Sequence, residues 1–283
     1  MPLPAPTLRA ESLAFRHGDV TAQTRAVPEE VAVALSYDQV GYAVMMATPC
    51  DLIDFAIGFS LSEGIVDQAA DILRCEIVTV ELGVECRMRL AHDVSTRLAQ
   101  RRRHLAGALG CGLCGLESLA QANRAIPQVA SSLRVSASSL MRAMHAMSAR
   151  QMLNRATHGV HAAGFFDPAS GDVLVREDVG RHNALDKITG ALARKNQGAE
   201  VPGGDRPGSS GVVLLTSRVS IELIQKAAML GAPVVAAVSV PTAYAIRAAD
   251  RAGITLAAVA RDDGFEVFTH QSRIAFGDLA NVA

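Results

Sequence analysis

The chain has 283 residues, of which 49% are apolar and 19% charged, and its formal net charge is −1 at pH 7. This length and composition predict a folded protein of two domains with a sizeable core. The near-neutral charge argues against a general nucleic-acid-binding protein, because phosphate contacts require a basic face. No apolar run approaches the length of about 18 residues that a membrane span requires. Five cysteines, an odd number outside any small disulfide framework, fit a reducing compartment, so we expect a cytoplasmic protein.

The first part of the chain predicts a tail followed by a small α+β domain. Residues 1–25 lack sustained periodicity and are predicted to be a partly ordered tail. Thr48 and Pro49 predict the start of a helix, with a capping hydroxyl before a proline in the first turn. The domain is expected to cover residues 26–116. Its predicted strands are residues 31–35, 42–46, 75–80 and 85–90.

The second domain is predicted to begin at residue 138, after a connector at 117–137 that is rich in Ser, Gln and Ala. A hairpin is predicted over 164–176, and a helix from Arg181 follows it. Continuously apolar strands that alternate with helices predict parallel pairing with helices on the faces of the sheet. The fold class is therefore α/β. The remaining predicted strands are residues 211–216, 233–238 and 254–259, with an edge strand at 265–270.

Residues 110–115 read Gly-Cys-Gly-Leu-Cys-Gly and are the strongest candidate for chemistry. A cysteine thiolate is the best nucleophile among protein side chains, and the neighbouring glycines leave room for a bulky partner. Basic residues at 101–104 would favour a thiolate if the fold brings them near. We therefore predict a Gly-rich loop that presents Cys111 and Cys114 as reactive thiols.

Three other interpretations of this Cys-x-x-Cys pair compete with a reactive loop. A structural zinc site needs four ligands, but Cys50, Cys75 and Cys86 stand singly, and the last two alternate as packing residues of strands. A thioredoxin-like pair usually follows a strand, whereas residues 105–109 are small and interrupted by glycine. A zinc deaminase would carry His-x-Glu, which none of the histidines begins. The zinc and redox interpretations stay open as weaker alternatives.

Polar residues follow each predicted parallel strand at the edge of the sheet where ligands bind in this fold class. Two of these strand ends lead into helix N-termini, which attract anions, and Arg218 can hold a phosphate with two hydrogen bonds. This edge is predicted to bind an anionic ligand such as a nucleotide, although the same residues could simply cap helices and turns. The candidates are Ser217, Arg218, Ser239, Thr242, Arg261, Asp262, Asp263 and Gly264.

A second polar cluster lies between the predicted hairpin and the helix that follows it. Its members are Glu177, Asp178, Arg181 and His182, and they could contact the ligand or only pair with one another. The chain has no GxxxxGK[ST] loop and no GxGxxG after a strand, so neither a P-loop nor a dinucleotide fingerprint is present.

Five stretches stand out in order along the chain, namely 45–49 with 54–59 and 62–64, 111–115, 177–187, 217–222 with 226–227, and 239–242. Together they resemble the formate dehydrogenase accessory sulfurtransferases of the FdhD/NarQ family, and the resemblance runs from about Val31 to His270. It implies a three-layer, cytidine-deaminase-like fold for residues 138–283, without the zinc chemistry. Family members usually have phenylalanine where Val259 stands.

This resemblance implies a sulfur carrier that takes sulfur from a cysteine desulfurase as a persulfide on Cys111, with Cys114 as its partner. The sulfur would pass to the molybdenum cofactor, a bis(molybdopterin guanine dinucleotide) that the protein holds as a client before insertion into formate dehydrogenase. A homodimer without a catalytic metal of its own is expected. Cofactor contacts are expected at Val259, Ala260, Arg261, Asp262, Asp263 and Gly264.

Two functions of other classes stay open. A nucleotide-dependent dithiol oxidoreductase would need both Cys111 and Cys114 for turnover. A non-catalytic chaperone that holds the cofactor and docks on the dehydrogenase would tolerate the loss of both thiols but would need Arg218.

Overall fold

The structure is a computed structural model that describes residues 2–105, 126–195 and 206–277. In the N-terminal part, the elements are β1 (Thr7–Arg16), β2 (Asp19–Pro28), β3 (Val31–Tyr37), β4 (Val40–Ala47), α1 (Leu52–Ser62), β5 (Ile72–Val80), β6 (Gly83–Leu90) and α2 (His92–Leu105). The C-terminal part consists of β7 (Val135–Ser136), α3 (Ala137–Ala149), α4 (Met152–Thr157), β8 (His161–Phe166), β9 (Val173–Asp178), α5 (Arg181–Lys195), β10 (Val212–Leu215), α6 (Ile221–Leu230), β11 (Val234–Ala237), α7 (Ala243–Ala252), β12 (Thr255–Arg261), β13 (Gly264–Val267) and β14 (Ile274–Ala275). No helix within these ranges has both the length and the apolar composition to cross a bilayer.

The N-terminal sheet has four strands in the order β4-β3-β6-β5. The four strands lie close to their predicted positions; β3–β4 and β5–β6 pair antiparallel, and β3 pairs parallel with β6 at the centre. Alternate side chains of β3 and β6, among them Leu35 and Cys86, are buried against α1. Phe55 and Phe59 of α1 complete this core; they are four residues apart and so lie on the same face of the helix.

The helix α1 begins later than Thr48-Pro49, so the predicted capping role of Thr48 is wrong. The residue before the helix is Asp51, which has a left-handed backbone with φ 52°. Thr48 is instead fully buried between the two parts of the chain. Its amide donates to Asp178 Oδ2 at 3.1 Å, and its hydroxyl accepts from the Val179 amide at 3.1 Å. These long-range hydrogen bonds replace the local cap.

The C-terminal sheet has six strands in the order β13-β12-β11-β10-β8-β9. As predicted, β10, β11 and β12 are parallel and β13 is an edge strand; the structure pairs β13 antiparallel with β12. The hairpin β8–β9 joins the same sheet, antiparallel to β10. Helices α5, α6 and α7 pack on one face and α3 on the other, which gives three layers. The predicted α/β fold class is therefore confirmed.

Helices α1 and α5 cross in backbone contact and join the two parts of the chain. A Cβ atom on Gly58 would lie 1.7 Å from the Asp186 carbonyl oxygen, and one on Gly190 would lie 1.9 Å from the Asp54 carbonyl oxygen. Only glycine permits this approach. Beside the crossing, the buried Asp54 carboxylate accepts hydrogen bonds from Arg176 of β9 at 2.8 and 2.9 Å and from Arg194 of α5 at 2.6 Å.

The first 28 residues differ from the partly ordered tail that the sequence predicts. Strands β1 and β2 pair along their whole length, from Thr7 with Pro28 to Arg16 with Asp19. Both turn residues, His17 and Gly18, have positive φ. The ribbon is exposed on both faces along most of its length, so burial imposes no alternating pattern that sequence reasoning could detect. The predicted boundary near residue 116 lies outside the described residues.

Candidate functional site

The two cysteines on which the sequence analysis centres, Cys111 and Cys114, lie outside the described residues. The chain on either side of them is attached to different parts of the protein. Helix α2 packs against the N-terminal core through Val94 and Leu98. Beyond residues 106–125, Val129 packs in the C-terminal core, and its amide donates to the Ala252 carbonyl at 2.8 Å. The cysteine segment therefore connects the two sheets.

The loops after β10, β11 and β12 meet at one edge of the C-terminal sheet, as predicted. The Val219 amide donates to the Val240 carbonyl at 3.2 Å, and the Thr242 amide donates to the Val219 carbonyl at 2.9 Å. Backbone bonds thus bring Ser217, Arg218, Ser239 and Thr242 to the same edge. The Thr242 hydroxyl caps α7, because it accepts from the Ala245 amide at 3.1 Å. Arg218 is exposed, and the Ser217 hydroxyl donates to the Arg218 carbonyl at 3.2 Å.

A cavity of about 620 Å³ lies at this edge, on the face of the sheet that α3 covers. Its volume is in the range of small-molecule sites. Predicted site residues line one wall, namely Ala260, Arg261, Asp262 and Asp263. Sequence reasoning missed the opposite wall, because Met144 and Met147 recur at the spacing of core residues and do contribute to the core. The wall from α3 and α4 consists of Met144, His145, Met147, Ser148, Gln151 and Asn154, with Thr216 and Val238 between the two walls.

Strand β12 is distorted where it enters this cavity. The register with β13 shifts between Ala258 and Arg261, and Val259 has φ 55°. A β-branched residue in the left-handed region costs on the order of 1–3 kcal/mol, and such strain concentrates at functional sites. The distortion leaves Val259 packed against the core on the α5–α7 face, whereas Ala260 lines the cavity on the other face. Arg261 is fixed by hydrogen bonds from its guanidinium to the Val238 and Ala260 carbonyls.

At the mouth of the cavity, a side chain of α3 faces the turn between β12 and β13. His145 Nε2 lies 3.4 Å from Asp262 Oδ1, and both side chains are exposed. The contact becomes an ion pair when His145 is protonated. Gly264, the last of the predicted site residues here, has φ 156° and open space around it.

Two residues of the predicted polar cluster pair within the protein. The Glu177 carboxylate accepts from the amides of Leu153 and Asn154 at 2.9 and 2.8 Å, so it caps α4. Asp178 is fully buried, and its Oδ2 atom lies 2.7 Å from Lys187 Nζ, which is buried as well. The hydrogen bonds around this ion pair fix the connection between β4 and α1 against α5. Asp178 also accepts from Thr48, Gly180 and Asn183, and Lys187 donates to the carbonyls of Thr48 and Glu177.

The other two residues of the cluster, Arg181 and His182, begin α5 at the same edge of the sheet. Arg181 Nε and His182 Nε2 are buried and have no hydrogen-bond partner among the described residues. Burial and the nearby charges of Arg181 and Lys226 lower the pKa of His182 to about 4, so its imidazole is neutral at physiological pH. Buried donors and acceptors are nearly always satisfied in folded proteins, which makes these two side chains candidates for ligand contact. They lie on the α5–α7 face of the sheet, across from the cavity.

The described residues contain no group of three or more His, Cys, Asp or Glu side chains placed to hold a metal ion. Cys86 and Cys75 lie in strands, where burial raises the pKa of their thiols to about 12 and about 11. Cys50 lies beside Lys187, with Sγ 3.7 Å from Nζ, and burial raises the pKa of its thiol as well. None of these three thiols favours the thiolate form.

Known proteins resemble this chain over nearly its whole length. The sequence model of the FdhD/NarQ family matches residues 28–275. The chain is 48% identical over 267 residues to the sulfur carrier protein FdhD of Agrobacterium fabrum, which covers 94% of this chain and 95% of that protein. It is also 48% identical over 266 residues to the sulfur carrier protein FdhD of Brucella melitensis, with coverage of 94% and 96%.

A solved structure shares the fold. The crystal structure of a protein described as a formate dehydrogenase accessory protein, from Desulfotalea psychrophila, superposes with a TM-score of 0.72 at 22% identity. The superposition covers 97% of this chain and 100% of that one. With a family match across most of its length and relatives at nearly half identity, the chain belongs to the FdhD/NarQ family.

Proposed function

We propose that this protein is a sulfur carrier that serves formate dehydrogenase and that Cys111 bears the transferred sulfur as a persulfide. The observation that carries the proposal is the 48% identity to proteins named sulfur carriers, which extends over 94% of the chain. The Gly-rich Cys-x-x-Cys motif at 110–115 supplies the thiols that such a carrier needs. The other three cysteines are poor candidates, because burial raises the pKa of each thiol.

The proposed loading step is an exchange at sulfur and needs no external oxidant. The Cys111 thiolate attacks the outer sulfur of a persulfide on a cysteine desulfurase. The S–S bond of the donor breaks, the donor cysteine leaves as a thiolate, and a new S–S bond forms on Cys111. Cys114 lies close enough in sequence to accept the same outer sulfur or to release it from Cys111 by a second exchange.

The proposed acceptor is the molybdenum cofactor, a bis(molybdopterin guanine dinucleotide) that is bound as a substrate. The residues at the sheet edge suit a nucleotide-bearing ligand. The cavity has room for one small-molecule arm, Arg261 lines it, and Arg218 is exposed at the same edge. Arg181 Nε and His182 Nε2 are buried without a hydrogen-bond partner among the described residues, and a bound ligand could supply one. The odd number of cysteines fits a protein that acts in the cytoplasm. That the protein forms a homodimer stays a prediction.

The experiment is to incubate the purified protein with a cysteine desulfurase and cysteine, and then to measure its intact mass and map the loaded peptide. We expect one added sulfur atom on the peptide that contains Cys111, and no added sulfur in Cys111→Ala. Cys75→Ser is the matched control, since its thiol lies in a strand and should not affect loading. Full loading of Cys111→Ala would refute the proposal. No loading of either Cys111 or Cys114 by an active desulfurase would favour the cofactor-holding chaperone instead.

A further inference from the structure

The outer end of the ribbon that β1 and β2 form carries apolar side chains on one of its two faces. Leu13 pairs with Ala22 across the ribbon, and Phe15 pairs with Val20. Side chains of directly paired residues, and of residues two positions apart, lie on the same face of an antiparallel ribbon. Leu13, Phe15, Val20 and Ala22 therefore form one patch, which we call the ribbon tip. Leu13, Phe15 and Val20 are 74%, 73% and 63% exposed.

The opposite face of the ribbon is mostly polar at the same distance from the turn, where Arg16, Asp19 and Thr21 lie. None of the ribbon-tip residues belongs to a hydrophobic cluster of the described residues. The apolar patch therefore adds nothing to the core of the single chain. A contiguous exposed patch of this kind marks an interaction surface.

The base of the ribbon is fixed to the C-terminal part of the protein, and the tip stands away from it. The Arg25 guanidinium donates to the Thr157 carbonyl of α4 at 3.5 Å. Pro28 lies so close to Gly159 that a Cβ atom there would come within 2.9 Å of the Pro28 ring. From Pro28 to Val20, eight residues of strand span about 26 Å. The ribbon is thus an arm that can reach a second molecule.

The N-terminal sheet offers a second apolar surface that the described part of the chain leaves uncovered. Helix α1 packs on one face of this sheet, and the side chains that alternate with the buried ones form the other face. We call the apolar half of that other face the outer face, which consists of Ala32, Ala34, Val44, Met46, Val78 and Val80. Val44 and Met46 are 57% and 49% exposed, and no outer-face residue joins a hydrophobic cluster of the described residues. The solvent side of such a sheet is normally polar, so this half is built to be covered.

The ribbon tip and the outer face match in shape. The middle of the outer face is low, because Ala32 and Ala34 of β3 lie beside Gly83 of β6. A Cβ atom on Gly83 would come within 2.3 Å of the Ala32 carbonyl oxygen, so no side chain fills this position. The larger side chains of β4 and β5 stand on either side and leave a shallow trough. Phe15 and Leu13 of the ribbon tip supply the bulky side chains that pack against small ones in such a trough.

The charges that border the two surfaces are opposite in sign. Glu11 follows Leu13 on the same face of the ribbon, on the side of the base, and is exposed. Beyond the apolar half of the sheet, β6 presents Arg87 and Arg89, both exposed. Glu85 at the border already pairs with Arg87 at 2.6 Å, which leaves Arg89 to meet Glu11. Neither the ribbon tip nor the outer face holds a charge, so docking one on the other buries no unpaired charge.

We propose that two copies of this chain exchange arms, so that the ribbon tip of each copy docks on the outer face of the other. A tip-to-tip dimer would involve only four side chains from each copy, whereas a standard stable interface involves about 20–30 residues from each partner. The exchange makes the ribbon–sheet contact twice and covers both apolar surfaces. The family resemblance predicts a homodimer but assigns it no surface, and the family model matches residues 28–275, beyond nearly all of the ribbon. The inference is independent of the sulfur chemistry.

Sedimentation velocity of the full-length protein over a range of micromolar concentrations tests the exchange. Wild type should sediment as a dimer. Phe15→Asp places a charge in both symmetry-related contacts and should weaken the dimer at least about 100-fold, as should Met46→Asp. Both side chains are exposed in the single chain, so both variants should keep the circular dichroism spectrum of wild type. Thr21→Asp, on the polar face of the same ribbon, is the control and should leave the dimer unchanged.

Mixing the two variants separates the exchange from other dimers. Phe15→Asp keeps an intact outer face, and Met46→Asp keeps an intact ribbon tip. An equimolar mixture should therefore form a heterodimer through one of the two contacts, with an affinity between those of wild type and the single variants. A monomeric wild type, a mixture that forms no heterodimer, or a dimer that survives either substitution would overturn the inference. Survival in Met46→Asp would point to tip-to-tip contact, and survival in Phe15→Asp would point to contact between the sheets.

Discussion

Replacement of Gly190 by alanine tests how the two parts of the protein are joined. The new Cβ atom would lie 1.9 Å from the Asp54 carbonyl oxygen and 2.7 Å from its carbonyl carbon. Both atoms belong to the backbone of α1, so no side chain can rotate away to make room. Helices α1 and α5 must therefore separate, or one of them must bend.

The magnitude follows from two opposing effects. Alanine in place of a mid-helix glycine stabilises a helix by about 1 kcal/mol. Overpacking of a well-packed contact costs about 1–3 kcal/mol or more, and here the separation also strains the hydrogen bonds of Asp54 with Arg176 and Arg194. We expect the packing term to win, so that Gly190→Ala lowers the free energy of unfolding by about 2 kcal/mol.

Urea denaturation followed by circular dichroism measures this change. The control is Gly41→Ala, because a Cβ atom at Gly41 meets nothing within 4 Å and its φ is not positive. It should change stability by less than about 0.5 kcal/mol. A Gly190→Ala protein as stable as wild type would show that helix propensity outweighs the contact, and that the two helices do not meet as closely as described.

Three further predictions concern stability and the site. Asp54→Asn removes the carboxylate that Arg194 contacts and the nearer of the two that Arg176 contacts, and it should lower the free energy of unfolding by about 3 kcal/mol, measured by urea denaturation. Because the pKa of His182 is lowered to about 4, protonation opposes folding, so stability should fall as the pH drops from 6.5 towards 4. His182→Gln should flatten that pH dependence in thermal melts; an unchanged slope would contradict the burial of the imidazole. Thr242→Ala removes the α7 cap and should lower the free energy of unfolding by about 1 kcal/mol in urea denaturation; unchanged stability would contradict the capping role.

The sequence predicted best those strands and helices whose burial requires a regular pattern of apolar residues. The apolar strands β10, β11 and β12 read as a parallel sheet because both of their faces are covered. Helix α5 was located because its apolar residues recur on one face. At these elements the local pattern and the tertiary environment impose the same requirement.

Other features depend on contacts between distant residues and leave no local pattern. Thr48 looked like a helix cap, but hydrogen bonds with residues 130 positions away determine its role. The left-handed backbone of Val259 could not be foreseen, since a β-branched residue disfavours it. The cavity wall that α3 and α4 form could not be foreseen either. Met144 and Met147 belong to the core by periodicity, and only the fold shows that they also border the site.

The central claim is that sulfur passes through Cys111 and does not stay there. The most direct measurement loads the protein with heavy-isotope sulfur from labelled cysteine and a desulfurase, removes the donor, and then adds the molybdenum cofactor in its reduced form, whose metal would supply the two electrons that convert the persulfide's outer sulfur to sulfide. Mass spectrometry follows the label on the Cys111 peptide and on the cofactor. The account predicts that the label leaves Cys111 as it arrives on the cofactor. Label that remains on Cys111, or a cofactor that gains no labelled sulfur, would contradict it.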